Sequence, residues 1–134
     1  MTFMLLQLTS EEALEKLQPL PERLRVPGLG EWGGFVGVYS FFVSKEDDEG
    51  NTTTLRARMF DGSLEDPATG SAASTLAGWL AQQKGEGIWT FKIIQGVEMG
   101  RSSEITVVVE VDVAIAHIYL EGGAVQVMQG QIAI

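Results

Sequence analysis

The stretch Glu65-Asp66-Pro67-Ala68-Thr69-Gly70-Ser71 sets two carboxylates directly before a proline, and small residues follow before a helical pattern begins. Two chemistries fit it. In the first, Asp66 caps a helix whose first turn opens with Pro67, an arrangement worth about 1 kcal/mol. In the second, the amides of Thr69, Gly70 and Ser71 hold an anion. Glycine leaves that backbone approachable, and the positive end of the helix dipole favours a carboxylate or phosphate. Asp66 or Glu65 then stands beside the anion as a proton carrier. A cap needs one acid, whereas this stretch has two. The lysine of a phosphate-binding loop is missing, so a small carboxylate suits the site better than a nucleotide.

The elements around the stretch must position it. Ser71 to Lys84 reads as the one long helix. Ala72, Ala73, Leu76, Ala77, Trp79 and Leu80 cover well over half its circumference, and Gly85 is placed as its C-cap. A helix apolar nearly all round is enclosed, which predicts that Trp79 and Leu80 are buried. Met4 to Leu8 reads as a strand. Thr9 and Glu12 fit a capping box opening a short helix through Leu14 and Leu17, which ends before Pro19. Residues 19–34 read as loop. Phe35 to Val43 reads as a strand buried on both faces, and Lys45 to Asn51 as a solvated turn into a partner strand, Thr52 to Phe60. After the helix come strands only: Ile88 to Gln95, Glu104 to Val113, Ala114 to Leu120 and Ala124 to Ile134. The pattern predicts an α+β fold in one domain across residues 1–134: a curved, mainly antiparallel, barrel-like sheet wrapped around one central helix.

Composition narrows the function. The 134 residues carry a formal net charge of -9, which argues against binding a nucleic-acid backbone. No cysteine and a single histidine leave no thiolate metal site and make a histidine zinc site a poor fit. No apolar run approaches the roughly 20 residues of a membrane span, and the opening MTFMLLQL lacks the basic flank of a signal peptide. A soluble, cytoplasmic domain is expected.

Other residues that could carry chemistry have a structural reading beside the functional one. His117 shares an alternating strand face with Ile115 and Tyr119, so a structural role is expected. Trp32, Trp79 and Trp89 read as packing residues. Glu46-Asp47-Asp48-Glu49 lacks calcium-loop spacing and reads as a solvated hairpin end. Arg101 either orients a turn or reaches an anion. Arg56 and Arg58 alternate on one strand and can simply pair with surface acids. Gly96 is explained by a turn requirement.

Arg58-Met59-Phe60, Glu65-Asp66-Pro67-Ala68-Thr69-Gly70-Ser71-Ala72 and Gln95-Gly96-Val97-Glu98-Met99-Gly100-Arg101 follow one another in an order that resembles the PhzF-like phenazine-biosynthesis family. Gly122-Gly123-Ala124-Val125-Gln126-Val127 and Gly130 are similar to the end of the same pattern. The resemblance implies a diaminopimelate-epimerase-like fold, of which this chain would be the carboxy-terminal domain, one half of a two-domain molecule with its active site in the cleft between. It implies isomerisation of a small hydroxylated cyclic amino acid by proton transfer, with no metal or organic cofactor. By resemblance, Asp66 matches the acid this domain adds to the proton relay, and Gly70 and Ser71 match substrate-contacting positions. The principal acid-base glutamate and a supporting histidine would belong to the other domain, and His117 does not match that histidine.

Two function classes follow. In one, the chain is half of an isomerase acting on a carboxylate-bearing metabolite, inactive alone and completed by an amino-terminal domain or a second copy of itself. In the other, it is a stand-alone small-anion binding or regulatory domain that kept the fold. Asp66 is the expected catalytic residue, Thr69, Gly70 and Ser71 the expected substrate contacts, and Glu65, Gly96 and Arg101 further candidates.

Overall fold

A computed structural model describes residues 2–27 and 36–131. Trp32, Phe35 and the last three residues of the expected final strand lie outside them. The elements run β1 (Thr2–Gln7), α1 (Glu11–Glu15), β2 (Val36–Glu46), β3 (Thr52–Asp61), β4 (Leu64–Asp66), α2 (Gly70–Lys84), β5 (Gly87–Gln95), β6 (Ser103–Val111) and β7 (Ile115–Gly122). All seven strands share one sheet in the order β1-β2-β3-β5-β6-β7, with β4 paired to β3.

The sheet is mainly antiparallel, as expected. Only β1–β2 and β3–β5 are parallel, and each of those pairs is separated in sequence by a helix, as a parallel return requires. The sheet is curled into a half-barrel. The curl is visible in the contacts of α2, which touches β5 and β6 and also the two strands at opposite ends of the sheet, β1 and β7. Alternation along each strand sends one set of side chains toward α2. Tyr39, Phe41, Leu55, Phe91, Ile93, Val107 and Val109 form that inner layer against Ala72, Ala73, Leu76, Ala77 and Ala81.

The helix is less enclosed than its composition suggests. Leu80 is partly buried and packs on the core, but Trp79 is 43% exposed, with its ring edge-on to Phe41 at 6.4 Å. The expectation of a buried Trp79 is therefore corrected. Alanines and Gly78 face the sheet because small residues let the helix axis come close; a Cβ on Gly78 would already sit 3.1 Å from Ile115 Cδ1. The bulky tryptophan is left on the rim of a shell that does not close, in line with Ser71, Thr75 and Gln82, which are also exposed.

Three smaller corrections follow from local hydrogen bonding. The cap of α1 is Ser10, whose Oγ accepts from Ala13 N at 3.1 Å, instead of Thr9. Three residues past Ser10 stands Ala13, so no capping box forms, and Glu12 pairs with Lys16. Residues 123–131 form no strand, and Val125, Val127 and Met128 are exposed. Strand β4 was not expected: Asp61 pairs with Leu64 across a tight turn in which Gly62 holds φ +59. No helix among the described residues is long and apolar enough to cross a membrane.

Candidate functional site

Strand β4 delivers Glu65 and Asp66 to opposite faces of the sheet, because neighbouring strand residues alternate. Glu65 joins Arg58 in a bidentate pair, Nε to Oε1 at 2.7 Å and Nη2 to Oε2 at 2.9 Å. Arg58 Nη1 also donates to the carbonyls of Leu14, Glu15 and Leu17 at the end of α1. Its guanidinium stacks over Phe60, 4.9 Å from the ring centre. The hydrogen bonds that Arg58 donates to Glu65 raise the Arg58 pKa above its ordinary value, against the effect of burial. Arg56 extends the network to Glu11 and Glu98. Glu65 thus anchors α1 to β3, and both arginines pair with acids, but Glu65 and Glu98 are largely buried instead of on the surface, where only Glu11 stands.

Asp66 turns the other way. Its Oδ2 accepts from Thr69 Oγ1 at 2.7 Å and its Oδ1 from Ala68 N at 3.2 Å. It is not the helix cap, since α2 begins at Gly70 with Thr69 in the cap position. Threonine is a good capping residue, yet the Thr69 side chain makes no capping bond to the helix. Its hydroxyl is committed elsewhere: it donates to Asp66 and accepts from Gln95 Nε2 at 3.0 Å. The first intrahelical amide bond is Ala73 N to Thr69 O. The amides of Gly70, Ser71 and Ala72 are therefore left without a partner among the described residues.

Gln95 is the residue that sequence reasoning missed. It is fully buried. Its Oε1 accepts from Tyr39 Oη at 3.0 Å and from Thr69 N at 3.3 Å, while Nε2 donates to Asp66 O at 2.7 Å and to Thr69 Oγ1. Every donor and acceptor site of the amide is used. Burial, with a smaller contribution from the Asp66 charge, raises the Tyr39 pKa, so the phenol stays a neutral donor. The signal was available: in Phe91-Lys92-Ile93-Ile94-Gln95 the strand period places Gln95 with Phe91 and Ile93 on the inward face.

Gly96 is fixed by two constraints. It holds φ +80, and a Cβ there would lie 2.5 Å from Arg101 O and 2.9 Å from Pro67 O. The turn 96–101 is closed by Arg101 N to Gly96 O at 3.0 Å and so seats directly against the proline after Asp66. Gly96 shapes the site without presenting a side chain. Arg101 is exposed on the same turn, away from any acid partner among the described residues.

Beside the mouth of α2 lies an open groove of about 620 Å³, lined by Ala68 and Gly70, by Ser102 to Ile105, and by Leu120 to Gly123. Leu120 leans over the helix start; a Cβ on Gly70 would meet its Cδ2 at 2.8 Å. Of the expected contacts, Gly70 lines this groove, Ser71 is exposed at its edge, and Thr69 is buried behind it. Glu104 and Glu121 are also among its lining residues, although the strand period turns their side chains to the face opposite inward Ile105 and Val107. His117 is exposed on β7 next to Tyr119. Trp89 packs through Nε1, which donates to Gly85 O at 2.9 Å. In the acid run, Asp47 Oδ1 accepts from Thr52 N and closes the β2–β3 hairpin.

The chain matches the phenazine biosynthesis-like protein family over residues 1–130, and it belongs to that family. It is 32% identical over 106 residues to an uncharacterized isomerase of Clostridium acetobutylicum, a match covering 73% of this chain and 34% of the relative. The chain thus spans about a third of that curated relative's length.

Proposed function

We propose that this member of the phenazine biosynthesis-like family supplies one wall of an isomerase site, in which the mouth of α2 holds a substrate carboxylate and Asp66 carries a proton. The observation behind this reading is the diversion of the Thr69 hydroxyl to Asp66 and Gln95, so that the one amide it could have capped stays open with the others of the first turn, those of Gly70, Ser71 and Ala72. Unpartnered amides at the positive end of a helix attract an anion. The negative charge of Glu104 and Glu121 near the groove disfavours a highly charged anion such as a phosphate and suits a substrate that also bears an ammonium group. A small cyclic amino acid meets both conditions.

In such an isomerisation one group removes a proton from carbon and another returns one elsewhere on the same molecule, so no electrons leave the substrate. Asp66 serves as one of the two groups. The second stands on a facing wall, which we assign to an amino-terminal domain preceding this carboxy-terminal one or to a second copy of the chain. The exposed Ile118, Tyr119 and Leu120 beside the groove suit contact with that wall. Alone, the chain should not turn substrate over and should self-associate, which light scattering and an isomerase assay check together. A purely monomeric, active chain would overturn the proposal.

A second reading is a small-anion binding domain without catalysis. It is favoured by the engagement of both Asp66 carboxylate oxygens in local hydrogen bonds, which suits a fixed strut. Titration with cyclohexanecarboxylate and with 3-aminocyclohexanecarboxylate, followed at the amides of residues 70–72, tests the shared premise. The amino acid should bind more tightly. Failure of both to shift those amides would remove the anion site and both readings with it.

A further inference from the structure

We propose that the outer face of the sheet, opposite α2, carries a separate pocket for a neutral, ring-sized molecule bearing one hydroxyl. Leu6, Val38 and Phe60 form its floor, and Leu17, Leu20 and Leu24 its overhang, around about 250 Å³. A cavity of about 150 Å³ with a similar apolar lining admits benzene, so this one has room for a ring and its substituent. Among the described lining residues none is charged. An ionised ligand would lose its hydration there without compensation.

The second observation is Ser40. It lines the same pocket, is 1% exposed, and its Oγ has no hydrogen-bond partner. Gln18, the other polar side chain among the described lining residues, makes no hydrogen bond to it. Arg58, its cross-strand partner, is held by Glu65 and by the carbonyls of Leu14, Glu15 and Leu17. A buried hydroxyl without a partner is costly, and a ligand hydroxyl placed against it removes that cost. The apolar walls then select the ring, and Ser40 selects the hydroxyl. Nothing in this pocket touches Asp66 or the mouth of α2, so it stands or falls independently of the proposed isomerase site.

The test uses the full chain with para-cresol and para-xylene, which differ only by a hydroxyl in place of a methyl group. Titration followed by amide resonances should give saturable shifts centred on Val38, Ser40 and Phe60, with para-cresol binding about tenfold more tightly, the effect of one hydrogen bond. Ser40→Ala should abolish that difference while leaving the urea midpoint of the unliganded chain unchanged or higher. Leu6→Trp, which fills the pocket, should block both compounds. A preference for para-cresol that survives Ser40→Ala would overturn the proposal. So would a lowered urea midpoint in that variant, which would show that Oγ has an internal partner. If the face is instead covered by a second copy, sedimentation will show a dimer and neither compound will bind, which also overturns it.

Discussion

The two faces of β4 treat neighbouring carboxylates differently. On the outer face Glu65 meets a guanidinium in two short bonds, and that guanidinium in turn gathers three carbonyls from the end of α1. On the inner face Asp66 meets only a hydroxyl and one amide, both from its own turn. The first acid joins elements distant in sequence. The second organises four consecutive residues and stays half-buried beside an open groove. Charge and chain position are nearly identical, so the difference lies in what each face offers. A buried cation demands its counter-charge, whereas a helix mouth with free amides leaves room for a third party.

That contrast can be broken in order of expected effect. Glu65→Gln should cost about 3 kcal/mol of stability, since it leaves Arg58 buried without its counter-charge; urea unfolding measures it. A loss below about 1 kcal/mol would mean that the carbonyls suffice and the pairing is ornamental. Asp66→Asn should do the reverse. In the complete active unit turnover should fall about 100-fold, roughly 2.7 kcal/mol in the barrier, while the urea midpoint barely moves. Equal turnover would make Asp66 a strut and favour the binding-domain reading.

Gly96→Ala probes the support under the inner face. The positive φ and the close carbonyls of Arg101 and Pro67 should together cost at least about 2 kcal/mol. The resonances that move should be those of residues 66–70, with Arg58 unaffected. The smallest effect belongs to Glu46, remote from both faces. Its hydrogen bond with Lys84 lowers its pKa below the ordinary carboxylate value. The stabilisation is therefore fully present above that ordinary value and is lost as pH falls through the lowered one. Because the pair is solvent-screened it should amount to less than about 1 kcal/mol, seen as a wild-type advantage over Glu46→Gln at neutral pH that vanishes in acid.

Sequence patterns reached the large elements well, and their limits have physical causes. The inner layer of β2, β3, β5 and β6 was legible because alternation is imposed by the sheet itself. Trp79 was misread because hydrophobicity was taken as burial, while the contact face of α2 is chosen by size: alanines pack where a tryptophan cannot. The order of Glu65 and Asp66 was left open, and strand β4 is what separates them. That three-residue strand exists only because Gly62 turns the chain back on β3, a feature too short to have a period. Gln95 was passed over because polar character masked an inward position. Family membership was legible in the motif around Asp66.

Strand β7 pairs with β6 on one side only, and residues 123–131 after it add no further strand. Among the described residues its outer edge has no strand partner, and Ile118, Tyr119 and Leu120 are exposed beside it. An open apolar edge is a template for another strand. If two chains meet there around a twofold axis, the contact consumes both edges and growth stops at a pair. If a β7 edge instead takes the β1 edge of the next chain, every addition exposes a fresh end, and the product is a fibre. The same edge thus bears on solubility, and a partner strand that covered it should keep the chain from precipitating.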